Sequence, residues 1–191
     1  SSDLHDMHSI FSLIIMAVLV IWNPSAAIAE DIMIDDFKSQ PETRWRFIAD
    51  TVMGGVSSGK VSFLQEDEQS HARMVGSVST KNNGGFIQFR TKLPLALPNS
   101  AVGLRLVVRG NDQRYFVHLR TGGTLLPWQH YQAGFAVNRE WSEVRLTFDV
   151  FKASGVLLRT LPRPENLKSV GIVAFGRDHE AEIDVREVSY F

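Results

Sequence analysis

From Glu30 onward, apolar residues alternate with polar ones at a period of two, and Gly, Asn, Asp and Pro interrupt the alternation at short intervals. No window keeps a helical period. The pattern predicts strands over Asp31–Phe37, Trp45–Ile48, Val61–Gln65, Ala72–Ser79, Phe86–Leu93, Val102–Arg109, Arg114–Arg120, Tyr131–Val137, Trp141–Phe148, Ser169–Phe175 and Ala181–Tyr190. Spacing of this kind predicts an all-β chain, a two-sheet sandwich or jelly roll of about ten antiparallel strands. The long segment Asp149–Leu167, with Pro162 and Pro164, is expected to wrap one edge, with a short helical turn at Arg163–Leu167.

Alternation also assigns faces. Leu104, Leu106 and Val108 share one face of their strand, and Arg105, Val107 and Arg109 the other. In the next strand Tyr115, Val117 and Leu119 oppose Phe116, His118 and Arg120, and in the following one Gln132 lies opposite Tyr131 and Phe135. If these strands pair in sequence order, they build one polar, arginine-bearing face carrying His118 and Phe116. A solvated outer face is the ordinary explanation of such a surface, and a ligand face is the rarer one.

Two glycine-dense loops interrupt this pattern: Asp50-Thr-Val-Met-Gly-Gly-Val-Ser-Ser-Gly59 and Lys81-Asn-Asn-Gly-Gly-Phe86. Loops of this composition bring backbone close to other groups where side chains would obstruct. Gly54 to Lys60 formally fits the glycine and lysine spacing of a phosphate-binding loop. Val61 stands where Ser or Thr would hold magnesium, however, and a strand pattern follows where a helix would be needed. The match reads as a turn.

The first 29 residues stand apart from the β pattern. They read as an N-terminal remnant ahead of Met7, then a secretory signal peptide: the apolar run Ile10–Trp22, the breaker Asn23-Pro24-Ser25 and the small-x-small site Ala27-Ile28-Ala29. The run is too short to span a bilayer as a helix. The expected location is therefore periplasmic or secreted, with a membrane anchor as the alternative if the signal stays attached. Residues 30–191 are expected to form a single domain.

Beyond the signal the chain carries 20 basic and 19 acidic residues, a balance that argues against nucleic acid as partner. Cysteine is absent, which removes thiolate metal sites, disulfides and thiol nucleophiles together. No Gly-x-Ser-x-Gly elbow is present, and the carboxylate pairs Asp35/Asp36 and Asp178/Glu180 fall in loops or at strand edges. His179 between Asp178 and Glu180 is the densest metal-like cluster and reads as a solvated turn. No catalytic, metal or cofactor site is expected.

Several elements occur together in one order: Trp45, then Asp50-Thr-Val-Met-Gly-Gly-Val-Ser57, Asn82-Asn-Gly-Gly-Phe86, Arg109-Gly110, Arg114-Tyr115, Tyr131-Gln-Ala-Gly-Phe135, Trp141 and Phe148/Phe151. In that order they resemble the CIA30 family, complex I intermediate-associated protein 30, over essentially all of Asp35–Phe191. Gly110-Asn111-Asp112 departs from the family, where Asp more often follows the glycine directly. The resemblance implies a galactose-binding-domain-like β-sandwich and, for mitochondrial members, a non-enzymatic role in assembling NADH:ubiquinone oxidoreductase. With a secretory signal, this chain looks like a bacterial exported relative.

The leading expectation is a non-catalytic binding or assembly module with a protein partner, possibilities that include a respiratory membrane complex. Its recognition surface is expected at the paired glycine loops: Asp50, Met53, Gly54, Gly55, Ser57, Asn82, Asn83, Gly84, Gly85 and Phe86, with Trp45, Arg109, Tyr115, Arg120 and Tyr131 nearby. The alternative is a carbohydrate-binding module stacking sugars on Trp45, Trp128 or Tyr131. A third reading is a hydrolase built on Asp50 and another carboxylate.

Overall fold

The computed structural model describes residues 30–191; the expected signal peptide lies outside the described residues. Twelve strands form two antiparallel sheets. They are β1 (Ile32–Asp35), β2 (Arg46–Ala49), β3 (Ser58–Glu66), β4 (Gln69–Val78), β5 (Phe86–Lys92), β6 (Gly103–Gly110), β7 (Arg114–Thr121), β8 (Tyr131–Ala136), β9 (Ser142–Thr147), β10 (Lys152–Ala153), β11 (Leu167–Phe175) and β12 (His179–Tyr190).

One sheet, here sheet A, runs β3-β4-β12-β6-β9, with β1 pairing the end of β12. The other, sheet B, runs β10-β8-β7-β11-β5-β2. Every strand expected from alternation has a counterpart. The short β10 had no signal of its own, because two residues are too few to display a period. A single 3-10 turn, Pro164–Asn166, stands at the expected helical turn.

Alternation explains the packing. Leu104, Leu106 and Val108 of β6 face Val117, Leu119, Val170 and Ile172 across one buried apolar layer. Aromatic residues close one end of it, Trp45 lying 5.3 Å from Phe37 and 5.2 Å from Phe89 between ring centroids. Face-to-face burial of this kind is the main stabilising contribution in a sandwich.

Order in the chain misleads at one place. β6 and β7 do not pair with each other: β6 lies between β12 and β9 in sheet A, and β7 between β8 and β11 in sheet B. Residues 111–113 are a corner between sheets. Asn111 holds it, donating from Nδ2 to the Glu180 carbonyl at 2.8 Å and accepting from the Tyr115 hydroxyl at 2.7 Å. The expected single face joining Arg109 to His118 and Arg120 is therefore split between opposite sides of the molecule.

Candidate functional site

Asp50 joins the two glycine loops. It opens the 3-10 turn Asp50–Met53 after β2 and is fully buried. Oδ1 accepts from the Ser57 amide at 2.9 Å, and Oδ2 accepts from the Ser57 hydroxyl at 2.5 Å and the amides of Gly85 at 2.6 Å and Phe86 at 3.3 Å. Burial alone would raise its pKa, but these donors outweigh burial and hold the carboxyl below its usual value. A Cβ on Gly55 or Gly84 would collide with the same carboxyl group. The glycines thus admit a buried anion from within the chain. Enclosed in this way, Asp50 has no access to a substrate, and the hydrolase reading loses its central residue.

Other expected site residues also belong to the framework. Trp45 is 2% exposed, donating from Nε1 to Asp35 at 2.8 Å, and Tyr131 is 2% exposed in the core. Tyr115 is fully buried; its hydroxyl accepts from the Glu182 amide at 2.7 Å, and burial pushes its pKa up to about 12. Neither Trp45 nor Tyr131 can stack a sugar. Alternation places an aromatic residue on a face but does not say whether that face is dry, and here the dry face claims all three.

Arg109 lies on the outer face of sheet A. It pairs with Asp184 at 2.8 Å and Glu66 at 2.6 Å, and its guanidinium stacks over Trp141. Arg73 pairs with the same Asp184 at 2.7 Å, while Arg105 reaches Glu143 and Glu187, each at 2.7 Å. Charges on that face are compensated within the fold.

The outer face of sheet B holds a cleft of about 940 Å³. Strand register builds its floor: Lys152 lies opposite Gln132, Gln132 opposite His118, His118 opposite Gly171, and Gly171 opposite Arg90. Gly171 makes room here, because a Cβ would stand 2.9 Å from the Gln88 amide oxygen that lies across the strand. Toward the β2 edge the cleft is lined by Val52 and Met53, which project from the turn that Asp50 anchors, and by Phe86. Both Val52 and Met53 are exposed.

Toward the β8 edge stand Pro127 and Trp128, on the loop between β7 and β8. Trp128 is 62% exposed, a large aromatic surface left uncovered. Arg120 anchors this loop: Nη1 donates to the Pro127 carbonyl, and Nη2 to those of Thr124 and Leu126, each at 2.9 Å. Between the edges, the rings of His118 and His130 stack at 3.9 Å, with Phe175 edge-on to both. The Gln132 amide oxygen accepts from His118 Nε2 at 2.8 Å. Burial, then the neighbouring His130, lower the His118 pKa to about 3, so the stack is neutral at physiological pH.

Of the expected site residues, Met53, Phe86 and Arg120 line the cleft, and so does Trp128, the stacking residue of the carbohydrate reading. Gln88, Arg90, His130 and Phe175 were missed. The signal for Gln88 and Arg90 was present in the outward positions of β5, but only the pairing of β5 with β11 brings them to His118. Among the described residues no group of three or more His, Asp or Glu could hold a metal ion.

No curated protein matches the sequence. Solved structures match the fold. A family 11 carbohydrate-binding module of the cellulosomal cellulase Lic26A-Cel5E of Clostridium thermocellum superposes with a TM-score of 0.69 at 10% identity, covering 85% of this chain and 94% of the module. The family 11 module from the same organism, in complex with a β-1,3-1,4-mixed-linked tetrasaccharide, gives 0.64 at 11% identity, covering 84% and 95%. A family 30 carbohydrate-binding module of the C. thermocellum cellulase Cel9D-Cel44B gives 0.54 at 7% identity, covering 85% and 97%. At such identities the likeness is one of fold. The family model for complex I intermediate-associated protein 30 (CIA30) matches residues 35–185, and the chain belongs to the CIA30 family.

Proposed function

We propose that this CIA30-family sandwich is a non-catalytic binding module and that its ligand occupies the cleft on the outer face of sheet B. The observation that carries the reading is the contrast between two surfaces. In the glycine loops Ser57, Gly85 and Phe86 spend their donors on Asp50, whereas the cleft presents an uncovered Trp128 together with the polar ends of Gln88, Gln132 and Arg90. A large cleft, mostly apolar and with a few convergent polar groups, is the usual form of a ligand site.

Family membership supports an assembly role with a protein partner, and export, as expected from residues 1–29, belongs to the same proposal. A second reading is carbohydrate binding. It is supported by Trp128 and the flat ring stack in the cleft, and by the fold shared with a module seen in complex with a tetrasaccharide.

A photoreactive residue placed at Trp128 of the full chain in its native compartment tests the site. Adducts at position 128 and none from the same probe at Lys60, an exposed position of sheet A, are expected. Adducts from Lys60 alone would place the ligand elsewhere.

A further inference from the structure

Charge is distributed unequally between the sheets. The strands of sheet B contain seven basic residues, Arg46, Arg90, Lys92, Arg114, Arg120, Lys152 and Lys168, and no Asp or Glu. Sheet A carries Asp35, Glu66, Glu143, Glu180, Glu182, Asp184 and Glu187 on its strands, and Arg73, Arg105, Arg109 and Arg145 there are ion-paired. The near-neutral chain therefore has a one-sidedly cationic face, and the cleft lies within it.

Three cations line the cleft: Arg90, Arg120 and Lys152. Among the described residues no carboxylate lines it. Arg120 spends its fork on loop carbonyls. Arg90 is half-buried and makes neither an ion pair nor a hydrogen bond with any described residue; its charged neighbours are also cations, Arg46 directly opposite on β2 and Arg120. Like charges opposed across strands destabilise a sheet. The Arg90 guanidinium thus lines the cleft with its donors unspent on the fold and open to an anionic ligand.

We propose that the cleft binds an acidic saccharide, a glycan carrying uronate carboxylates, with one carboxylate held by the Arg90 guanidinium. The inference rests on the cleft being the ligand site. A guanidinium fork matches a carboxylate in bidentate geometry. Gln88 and Gln132 offer amide donors and acceptors suited to neighbouring hydroxyls, and Trp128 offers a flat apolar face for a sugar ring. An acidic peptide fits less well: the central floor strands β8, β7, β11 and β5 are each paired on both sides, so a peptide lying across them would gain no ladder hydrogen bonds there.

Binding of tetragalacturonate to the full chain, followed by calorimetry and by Trp128 fluorescence, tests the proposal against the methyl-esterified tetrasaccharide, a neutral glucan tetrasaccharide and polyglutamate. Expected results are binding of the free acid, at least tenfold weaker binding of the ester, and at least tenfold loss on Arg90→Gln with a melting temperature that does not fall. Lys60→Gln, which removes one cation from sheet A, should leave binding unaltered. Equal binding of ester and acid, or of the neutral glucan, with a Trp128 response would overturn the acidic inference and keep the cleft as the site. Equal binding of polyglutamate would overturn it in favour of a general polyanion or peptide surface. Saccharide binding without a Trp128 response, or no binding of any probe, would overturn both.

Discussion

Asp50 shows how far a single residue can be read. Its neighbours in sequence announce a glycine loop, but its four donors come from Ser57, Gly85 and Phe86, the last two more than thirty residues away. Composition indicated that backbone approaches something closely; only the fold identifies that something as the chain's own carboxylate. Asp50→Asn keeps the shape but turns one acceptor into a donor facing donors. It should destabilise the protein by about 1–3 kcal/mol, the range for leaving buried hydrogen-bonding groups unsatisfied, measured by urea unfolding. Gly84→Ala, whose Cβ meets the same carboxyl, should fall in the same direction. A loss below about 0.5 kcal/mol in Asp50→Asn would show that the loops do not depend on this anion.

Among elements, the strands were legible because alternation is a local property, and their partners were not. Arg114–Arg120 pairs with Tyr131–Val137 as its position in the chain implies, yet Val102–Arg109, only a few residues before it, belongs to the other sheet. A polar, glycine-bearing link of this kind serves equally as a hairpin or as a corner, and buried partners such as Leu104 and Val117 decide between them. The same uncertainty scattered the expected site, leaving Arg109 on sheet A while Arg120 supports the loop that carries Trp128. Arg120→Ala removes three anchoring hydrogen bonds from that loop. Amide exchange over residues 124–129 should accelerate by about tenfold, equivalent to about 1.4 kcal/mol of local stability, with little change in global unfolding. Unchanged exchange there would contradict the anchoring role.

For the whole molecule, the near-neutral total charge concealed its arrangement, with four ion-paired arginines on sheet A and seven cations without acidic residues on the strands of sheet B. Titration should expose the buried histidines. His118 has a folded pKa of about 3 against about 6.5 when unfolded, so the unfolded chain binds the extra proton between these values. Its contribution to stability is complete above about pH 6.5 and is lost as pH falls toward 3, with a slope of up to about 1.4 kcal/mol per pH unit. His71, His130 and His179 shift in the same direction. Asp50 and Asp184, held low by their donors, add a further loss below about pH 4. Melting temperatures measured from pH 7.5 to 5 should fall, and His118→Gln should flatten the fall. A profile flat over that range would show that His118 is not held neutral by burial.

The location of the ligand is tested most directly by mapping chemical shifts on the isotope-labelled full chain during titration with the acidic tetrasaccharide. The predicted result is movement centred on the Trp128 indole, the Gln88 and Gln132 side-chain amides and the backbone around Arg90 and Gly171, with Gly59 and the arginines of sheet A unmoved. Shifts centred on Arg109 and Asp184 of sheet A, with Trp128, Gln88 and Gln132 silent, would contradict the account.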